Sequence, residues 1–443
     1  MKKESRPDWF QEVPDNWDVG KIGWHYEIQL GKKLNQDEIE GDHLGPYLRN
    51  QDVQWWDINT EDLPEMDFYP SERKKYELKS GDILICEGGE AGRCAIWEND
   101  DLECFFQMAL HRVRPRSDNH DPRFFCHFME FAKNTGILSA GANRSTIEHL
   151  TGEKLKQQWI PVPPAPIQTK IANLLDKNRR RTEHLYSEYH RLLQHAEELI
   201  DSKTWRAVTK GVSGSKIKET DTNWIGNVPE HWDVVRTRFV TRLESGHTPS
   251  KSNDEYWKHT DIPWVTTSDI KPFRKGKKIY LQETEHNISE LGLENSGAKL
   301  LPKGTVFLSR TASVGFSGIM GQEMATSQDF VNWVCDDGIL AEYLLYVFRS
   351  MDQEFDRLTQ GSTHQTIYMP EIKSFKTPLP PVEEQRKIVD YIQTETERIW
   401  ELIDKVEEAI DLLEEKRQSL LTAVITGQIN ITETQSPEIE TII

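Results

Sequence analysis

Apolar and polar positions change their period at corresponding places in the two halves of the chain. Residues 77–96 read ELKSGDILICEGGEAGRCAI, in which the apolar runs GDILI and CAIW are set off by glycine-rich turns. Residues 299–319, KLLPKGTVFLSRTASVGFSGI, repeat that punctuation with GTVFL and SGIM. Short apolar runs bounded by such turns predict strands joined by tight connections. Each strand-like region leads into an aromatic and aliphatic stretch, PRFFCHFMEFAK or ILAEYLLYVFRS, that predicts a short core helix. Then come the proline pairs Pro163-Pro164 and Pro380-Pro381, which force an extended chain. Glu383 and Glu384, after the second pair, suit a helix N-terminus.

Beyond the prolines the period becomes seven. Ile392, Ile399, Val406, Leu413 and Leu420 form one seam and Val389, Ile403, Ile410 and Val424 the other, with Thr396 and Arg417 as exceptions. In the first half Ile171, Leu185, Leu192 and Leu199 form one seam and Leu175, Tyr189 and Ala196 the other, interrupted by Asn178 and Thr182. Such heptads predict coiled-coil helices. With no internal Pro or Gly, each runs about 40 residues, or roughly 60 Å.

The two halves are copies of one unit. WFQEVPDNWDV (9–19) recurs as WIGNVPEHWDV (224–234), so that Trp9, Val13, Pro14, Trp17, Asp18 and Val19 match Trp224, Val228, Pro229, Trp232, Asp233 and Val234. Gly81 then aligns with Gly304, Gly92 with Gly315 and Gln107 with Gln328. GANRSTI (141–147) aligns with GSTHQTI (361–367), PVPPAPIQTKI (161–171) with PLPPVEEQRKI (378–388), and AVTKG (207–211) with AVITG (423–427). Matches in this order mark a tandem duplication. The expected division is a mostly-β domain over 1–164, a helix over 165–211, a linker over 212–223, a second domain over 224–381, a second helix over 382–427 and an acidic tail over 428–443. The fold class expected is α+β, two mostly-β domains joined by two long antiparallel helices with pseudo-two-fold symmetry. In that arrangement the helices act as a rigid spacer between the domains.

Composition narrows the class. At 443 residues several domains are expected, and 36% hydrophobic residues suffice for ordinary cores. No apolar stretch approaches a membrane span, and MKKESRPDWF lacks the apolar run of a signal peptide, so a cytoplasmic protein is expected. Five cysteines without paired or zinc-like spacing read as buried reduced thiols. A net charge of −19 excludes a uniformly basic surface but not basic patches on an acidic body. Acid gathers on the last helix and tail. Positive charge gathers at Arg112, Arg114 and Arg116 and at Lys271, Arg274, Lys275, Lys277 and Lys278.

The strings PLPPVEEQRKI, AVITGQI and TNWIGNVPEHWDV resemble those of specificity (S) subunits of Type I restriction–modification systems. The resemblance covers nearly the whole chain in the family's order. It implies two target-recognition domains, each reading one half of a bipartite site in double-stranded DNA, and paired helices that set the gap. It also implies docking of two modification subunits, which carry S-adenosylmethionine and methylate adenine, and of separate motor/restriction subunits. No cofactor is expected on this chain. PAPIQTKI departs from the family pattern where the second copy has PVEEQRKI, which bears on partner contacts there.

Within a duplicated frame, loops that differ between copies are the natural places for base-reading side chains. One pair is GGEAGR (88–93) and RTASVG (310–315), with Arg93, Arg310, Thr311 and Ser313. A second is GANRST and GSTHQT, with Asn143, Arg144, Ser145 and Thr146 against Ser362, Thr363, His364, Gln365 and Thr366. A third is RNQDV (49–53) and TTSDI (266–270), with Arg49 and Asn50 against Thr266, Thr267 and Ser268, followed by Lys271, Arg274 and Lys275. Gln107 and Gln328 suit an adenine edge or a core backbone.

No catalytic set stands out. Asp67, Glu77 and Lys79 mimic a nuclease pattern, but the matching stretch of the second copy reads Leu300-Leu301-Pro302. GGEAG lacks the ending of a phosphate loop, and VPPA and LPPV lack the polar and aromatic flanks of an adenine-methyltransferase signature. A non-catalytic DNA-specificity subunit is the leading expectation. A stand-alone nuclease and a coiled-coil scaffold are the competing classes.

Overall fold

A computed structural model describes residues 13–34, 41–139, 149–360, 365–429 and 431. Two compact units divide the chain, one from Met1–Glu188 with Glu408–Ile443, the other from Tyr189–Glu407. Each unit therefore takes one domain and a piece of both long helices.

In the first unit, strand β1 (Asp18–Lys21) passes through one helical turn, α1 (Ile22–His25), into β2 (Tyr26–Leu30). Next come β3 (Leu44–Leu48), a hairpin of β4 (Val53–Gln54) and β5 (Asp57–Ile58), β6 (Glu65–Asp67) and α2 (Pro70–Tyr76). Strands β7 (Ile83–Cys86), β8 (Cys94–Ile96), β9 (Phe105–Phe106) and β10 (Leu110–Pro115) lead to α3 (Pro122–Asn134), α4 (Gly152–Gln157) and β11 (Trp159–Val162). The main sheet has the order β2-β10-β7-β8. Strand β7 is buried along its length, which is why Ile83–Cys86 reads as a continuous apolar run rather than an alternation. Helix α3 shares a core with this sheet through Phe124, Phe125 and Phe128. Strand β1 pairs with β11 (Asp18 opposite Val162, Lys21 opposite Trp159), tying the start of the domain to the strand that feeds the first long helix, α5 (Ala165–Lys210).

The second unit repeats the plan. After a hairpin of β12 (Ile217–Glu219) and β13 (Asn227–Pro229) come β14 (Asp233–Arg236), β15 (Thr241–Ser245), β16 (Ile262–Val265), β17 (Tyr280–Leu281) and β18 (His286–Ile288). Helix α6 (Glu290–Glu294) precedes β19 (Val306–Ser309), β20 (Ser317–Met320), β21 (Ala325–Thr326) and β22 (Phe330–Cys335). Helices α7 (Ala341–Arg349), α8 (Asp352–Thr359) and α9 (Met369–Ser374) lead to β23 (Lys376–Leu379) and the second long helix, α10 (Val382–Ile425). The sheet order β15-β22-β19-β20-β17 reproduces the first and adds one edge strand. Strand β14 pairs with β23 as β1 does with β11. Gly81 and Gly304 share φ +87°, and Gly92 and Gly315 have +93° and +91°, so the sequence alignment holds in the backbone.

Both long helices are anchored by a matched glutamine. Buried Gln168 accepts from the Asp121 amide (3.0 Å) and donates to the Pro163 carbonyl (2.8 Å). Buried Gln385 accepts from the Leu340 amide (2.9 Å) and donates to the Gly338 and Pro380 carbonyls (both 2.9 Å). Each side chain thereby satisfies the amide that opens the neighbouring short helix, α3 or α7, and a carbonyl just before its own helix.

The helices pack antiparallel within each unit. In the first, Ile171 and Leu175 share a core with Leu420, Leu421, Val424 and Ile425, and Tyr186 donates to Glu414 (2.7 Å). In the second, Ala196 packs with Trp400 and Ile403, and Lys203 donates to Glu395 (2.9 Å). The seam expected along α5 needs correction. Leu192 and Leu199 are exposed, while Leu193, Ala196 and Ile200 face α10. A straight helix repeats every 3.6 residues, so a strict seven-residue reading drifts off the contact line after a few turns. Thr182 and Thr396, taken as interruptions, are themselves buried in the seam. Both helices end on glycines with positive φ, Gly211 (+69°) and Gly427 (+77°). A Cβ at Gly427 would lie 2.2 Å from Pro14, and one at Gly211 would lie 3.1 Å from Trp232. Only glycine fits both the left-handed cap and this approach.

The fold is thus α+β, with two mostly-β domains and two long helices that run antiparallel. Cys86, Cys94, Cys104 and Cys126 are free and buried, and Cys335 is free and half-buried.

Candidate nucleic-acid interface

Side-chain and backbone hydrogen bonds draw the sequence-flagged loops together in each unit. In the first unit Asn50 donates to the Gly88 carbonyl (3.0 Å), and Arg93 donates to Asn50 through its carbonyl (2.9 Å) and side-chain oxygen (3.1 Å). The Gln107 amide donates to the Leu48 carbonyl (3.1 Å), which brings Gln107 beside Arg49. Arg49 folds back on Asp52, donating from Nε to Oδ2 and from Nη2 to Oδ1 (both 2.8 Å), and this bond keeps its guanidinium above the usual arginine pKa. Asn143, Arg144, Ser145 and Thr146 lie outside the described residues. Exposed His149, just after them, stands against Gly88.

The second unit uses the same turn with different chemistry. The Thr266 amide and hydroxyl both donate to Asp269 (2.7 and 2.9 Å), where the first unit has Arg49 on Asp52. Ser268 shares a hydrogen bond with Thr266 (2.7 Å), and Thr267 stands half-buried between them. The Ser327 amide donates to Val265 (2.9 Å), placing exposed Gln328 beside this turn. Arg310 Nε donates to the Gln328 carbonyl (3.1 Å). Thr311 bridges to Thr366, the Ala312 amide donates to Gln365 (3.2 Å), and the Ile367 amide donates to Arg310 (2.9 Å). Ser313 accepts weakly from Arg274 (3.5 Å). Ser362, Thr363 and His364 lie outside the described residues.

The basic cluster splits. Lys271 and Arg274 remain exposed beside the loop, whereas Lys275 donates to Glu407 and Lys277 to Asp404 (2.6 Å) on α10. The hydrogen bond to Glu407 raises the Lys275 pKa above its ordinary value. The arginines that alternate along β10 do not form a basic surface. Arg112 is buried, donating to the Lys75 and Glu77 carbonyls (3.0 and 2.9 Å), and Arg114 makes a two-bond pair with Asp82 (both 2.6 Å). Tyr368 escaped the sequence analysis. It is exposed and follows directly on the 365–367 segment. Its only sequence signal is an aromatic ring beside a polar loop.

Asp67, Glu77 and Lys79 do not form a shared site. Buried Asp67 accepts from the His43 amide (2.7 Å), while Glu77 and Lys79 make a loose exposed pair at 3.7 Å. Among the described residues no group of His, Cys, Asp and Glu is arranged to hold a metal ion, and no helix is long and apolar enough to cross a membrane.

A repeated α+β domain with paired loops, and a long helix after each copy, is the layout of a DNA-specificity protein. The chain belongs to the family described as Type I restriction modification DNA specificity domain, whose model matches residues 14–187 and 229–422. The MjaIX specificity subunit of Methanocaldococcus jannaschii is 34% identical over 176 residues, 39% of each chain. A putative MjaX specificity subunit from the same organism is 23% identical over 95% of both chains, and the EcoKI specificity subunit of Escherichia coli is 22% identical over 94% of this chain and 90% of its own. Among solved structures, a chain from a study of Type I R-M complex assembly superposes with TM-score 0.74 at 17% identity, covering 94% of this chain and 99% of that one. The HsdS subunit of Thermoanaerobacter tengcongensis gives 0.54 at 17% identity, covering 94% and 98%. At these identities the superpositions show a shared fold.

Proposed function

We propose that the chain is the non-catalytic DNA-reading component of a Type I restriction–modification complex and recognises a bipartite, asymmetric site with one half-site per unit. One observation carries this. The two units share a frame down to matched glycines and Asp52/Asp269 turns, yet the first sets Arg49, Asn50 and Arg93 at the loop positions where the second has Thr266, Thr267 and Phe316. A common frame with different polar side chains suits two reading heads for two sequences, since base edges are distinguished by donor and acceptor pattern. The long helices set the gap between half-sites, and the chain scaffolds two modification subunits and the motor/restriction subunits. S-adenosylmethionine belongs to the modification subunits, and the setting is cytoplasmic.

Methylation mapping of DNA from cells carrying the system tests the reading. Modified adenines on both strands of a split, non-palindromic motif are expected. A single contiguous palindrome would overturn it.

A further inference from the structure

Among the large hydrophobic side chains of the described residues, Phe239 (68% exposed), Trp24 (59%) and Tyr368 (59%) are the most exposed. Tyr368 adjoins the candidate DNA loops. The other two lie elsewhere and correspond to each other. Aligning Trp17-Asp18-Val19 with Trp232-Asp233-Val234 brings Trp24 onto Phe239, one on the single turn between β1 and β2, the other on the single turn between β14 and β15. The surroundings match as well. Lys21 lies opposite Trp159 in the β1–β11 pair, and Arg236 lies opposite Lys376 in β14–β23. Trp24 meets Trp159 edge-on at 5.8 Å, and Arg238 stacks on Phe239 at 5.2 Å. The polypeptide before the second domain does not cover the ring. Its Trp224 carbonyl accepts from Trp205 on α5 (2.8 Å), and Phe239 stays exposed with that segment in place.

A single exposed aromatic needs no explanation, but its recurrence at the same turn of both copies sets this pair apart. What the copies share fits what they bind in common, and half-sites of different sequence are not held in common. The DNA backbone is common to both, but phosphates are met by cations and N–H groups and offer no apolar pocket to a ring. Trp, the other aromatics and Arg are typical anchors of protein interfaces. We propose that each unit seats one copy of the same protein partner, with Trp24 in one unit and Phe239 in the other entering an apolar pocket on that partner. Exposed Arg236 and Arg238 beside Phe239 call for an acidic rim around the pocket. This inference rests on the reading above that the chain carries two modification subunits, and it assigns their docking faces.

The full chain, co-expressed with its modification subunit, can be examined by native mass spectrometry and by titration of that subunit. Wild type should carry two copies. Trp24→Ser and Phe239→Ser should each carry one at micromolar concentration, with about 30-fold weaker binding at the altered unit, and the double variant none. Both positions are exposed, so melting temperatures should not move, and Trp24→Phe or Phe239→Trp should keep two copies. Two tightly held copies on the double variant would overturn the docking faces alone. So would loss of DNA affinity with the copy number unchanged. A wild-type chain that binds no modification subunit would overturn the functional reading itself.

Discussion

The Lys277 ammonium donates to both carboxylate oxygens of Asp404 on α10, at 2.8 and 2.6 Å, within the second unit. Lys275 makes the equivalent contact with Glu407 one helical turn away. Two of the five cations in a cluster that looked free for phosphates are already neutralised by the chain's own acid. Exposed ion pairs contribute about 0–1 kcal/mol to stability. Lys277→Ala should therefore leave both the melting temperature and DNA affinity nearly unchanged. Arg274→Ala should weaken binding and lower the slope of log affinity against log salt by about 1. Fluorescence anisotropy across a salt series would decide it, and a tenfold loss for Lys277→Ala would show that this lysine leaves the helix for DNA.

Arg417 on α10 pairs with Glu130 on α3, both largely buried in the first unit. Removing one partner strands a charge with little water. Glu130→Ala should cost about 3 kcal/mol, whereas the double change Glu130→Leu with Arg417→Met should recover most of it. Urea unfolding of the three proteins is the check. Equal losses for the single and double variants would mean that packing, not charge, governs this contact.

His127 is buried under Trp56 (4.1 Å between rings) and bonded to Asp176 (2.9 Å). Burial lowers its pKa below 6.5, with Asp176 opposing. His111 is lowered by burial as well. As pH falls through 6.5 the unfolded chain takes up protons that the folded chain refuses, so stability is complete above that value and declines below it. The slope of stability between pH 7 and 5 should be shallower in His127→Gln, with part remaining from His111. An unchanged slope would place the titration elsewhere.

If the helices measure the gap between half-sites, four residues inserted into one lengthen it by about 6 Å. DNA rises about 3.4 Å per base pair. The preferred gap should grow by one or two base pairs with both half-sites unchanged. Methylation mapping of the variant would reveal any change in the half-sites, which would contradict a spacer role.

The repeat was legible because glycines, prolines and the Trp-Asp-Val strings hold their places under backbone constraints that act locally. The α5 seam was legible in part: Ala196 keeps its place against α10, but Leu192 and Leu199 turn outward, since helical drift depends on the packing partner. Arg112 and Arg114 could not be told from a basic strip, because alternation records strand geometry and not which face is buried. The lysines at 275 and 277 looked available for the same reason: Asp404 and Glu407 are far away in sequence. Trp56, with φ +64° and Arg179 stacked on it at 5.0 Å, carried no local signal at all.

The return of α10 to Pro14 and Trp17 has a consequence for synthesis. The second unit is one uninterrupted stretch, Tyr189–Glu407, while the first needs Glu408 onward to complete a core that includes Leu420, Leu421, Val424 and Ile425. On the ribosome the half that emerges first is therefore the last to be finished, and until then it holds an uncovered apolar face that chaperones would recognise. A chain stopped at Glu407 should yield a protease-resistant second unit beside a first unit that aggregates or is digested.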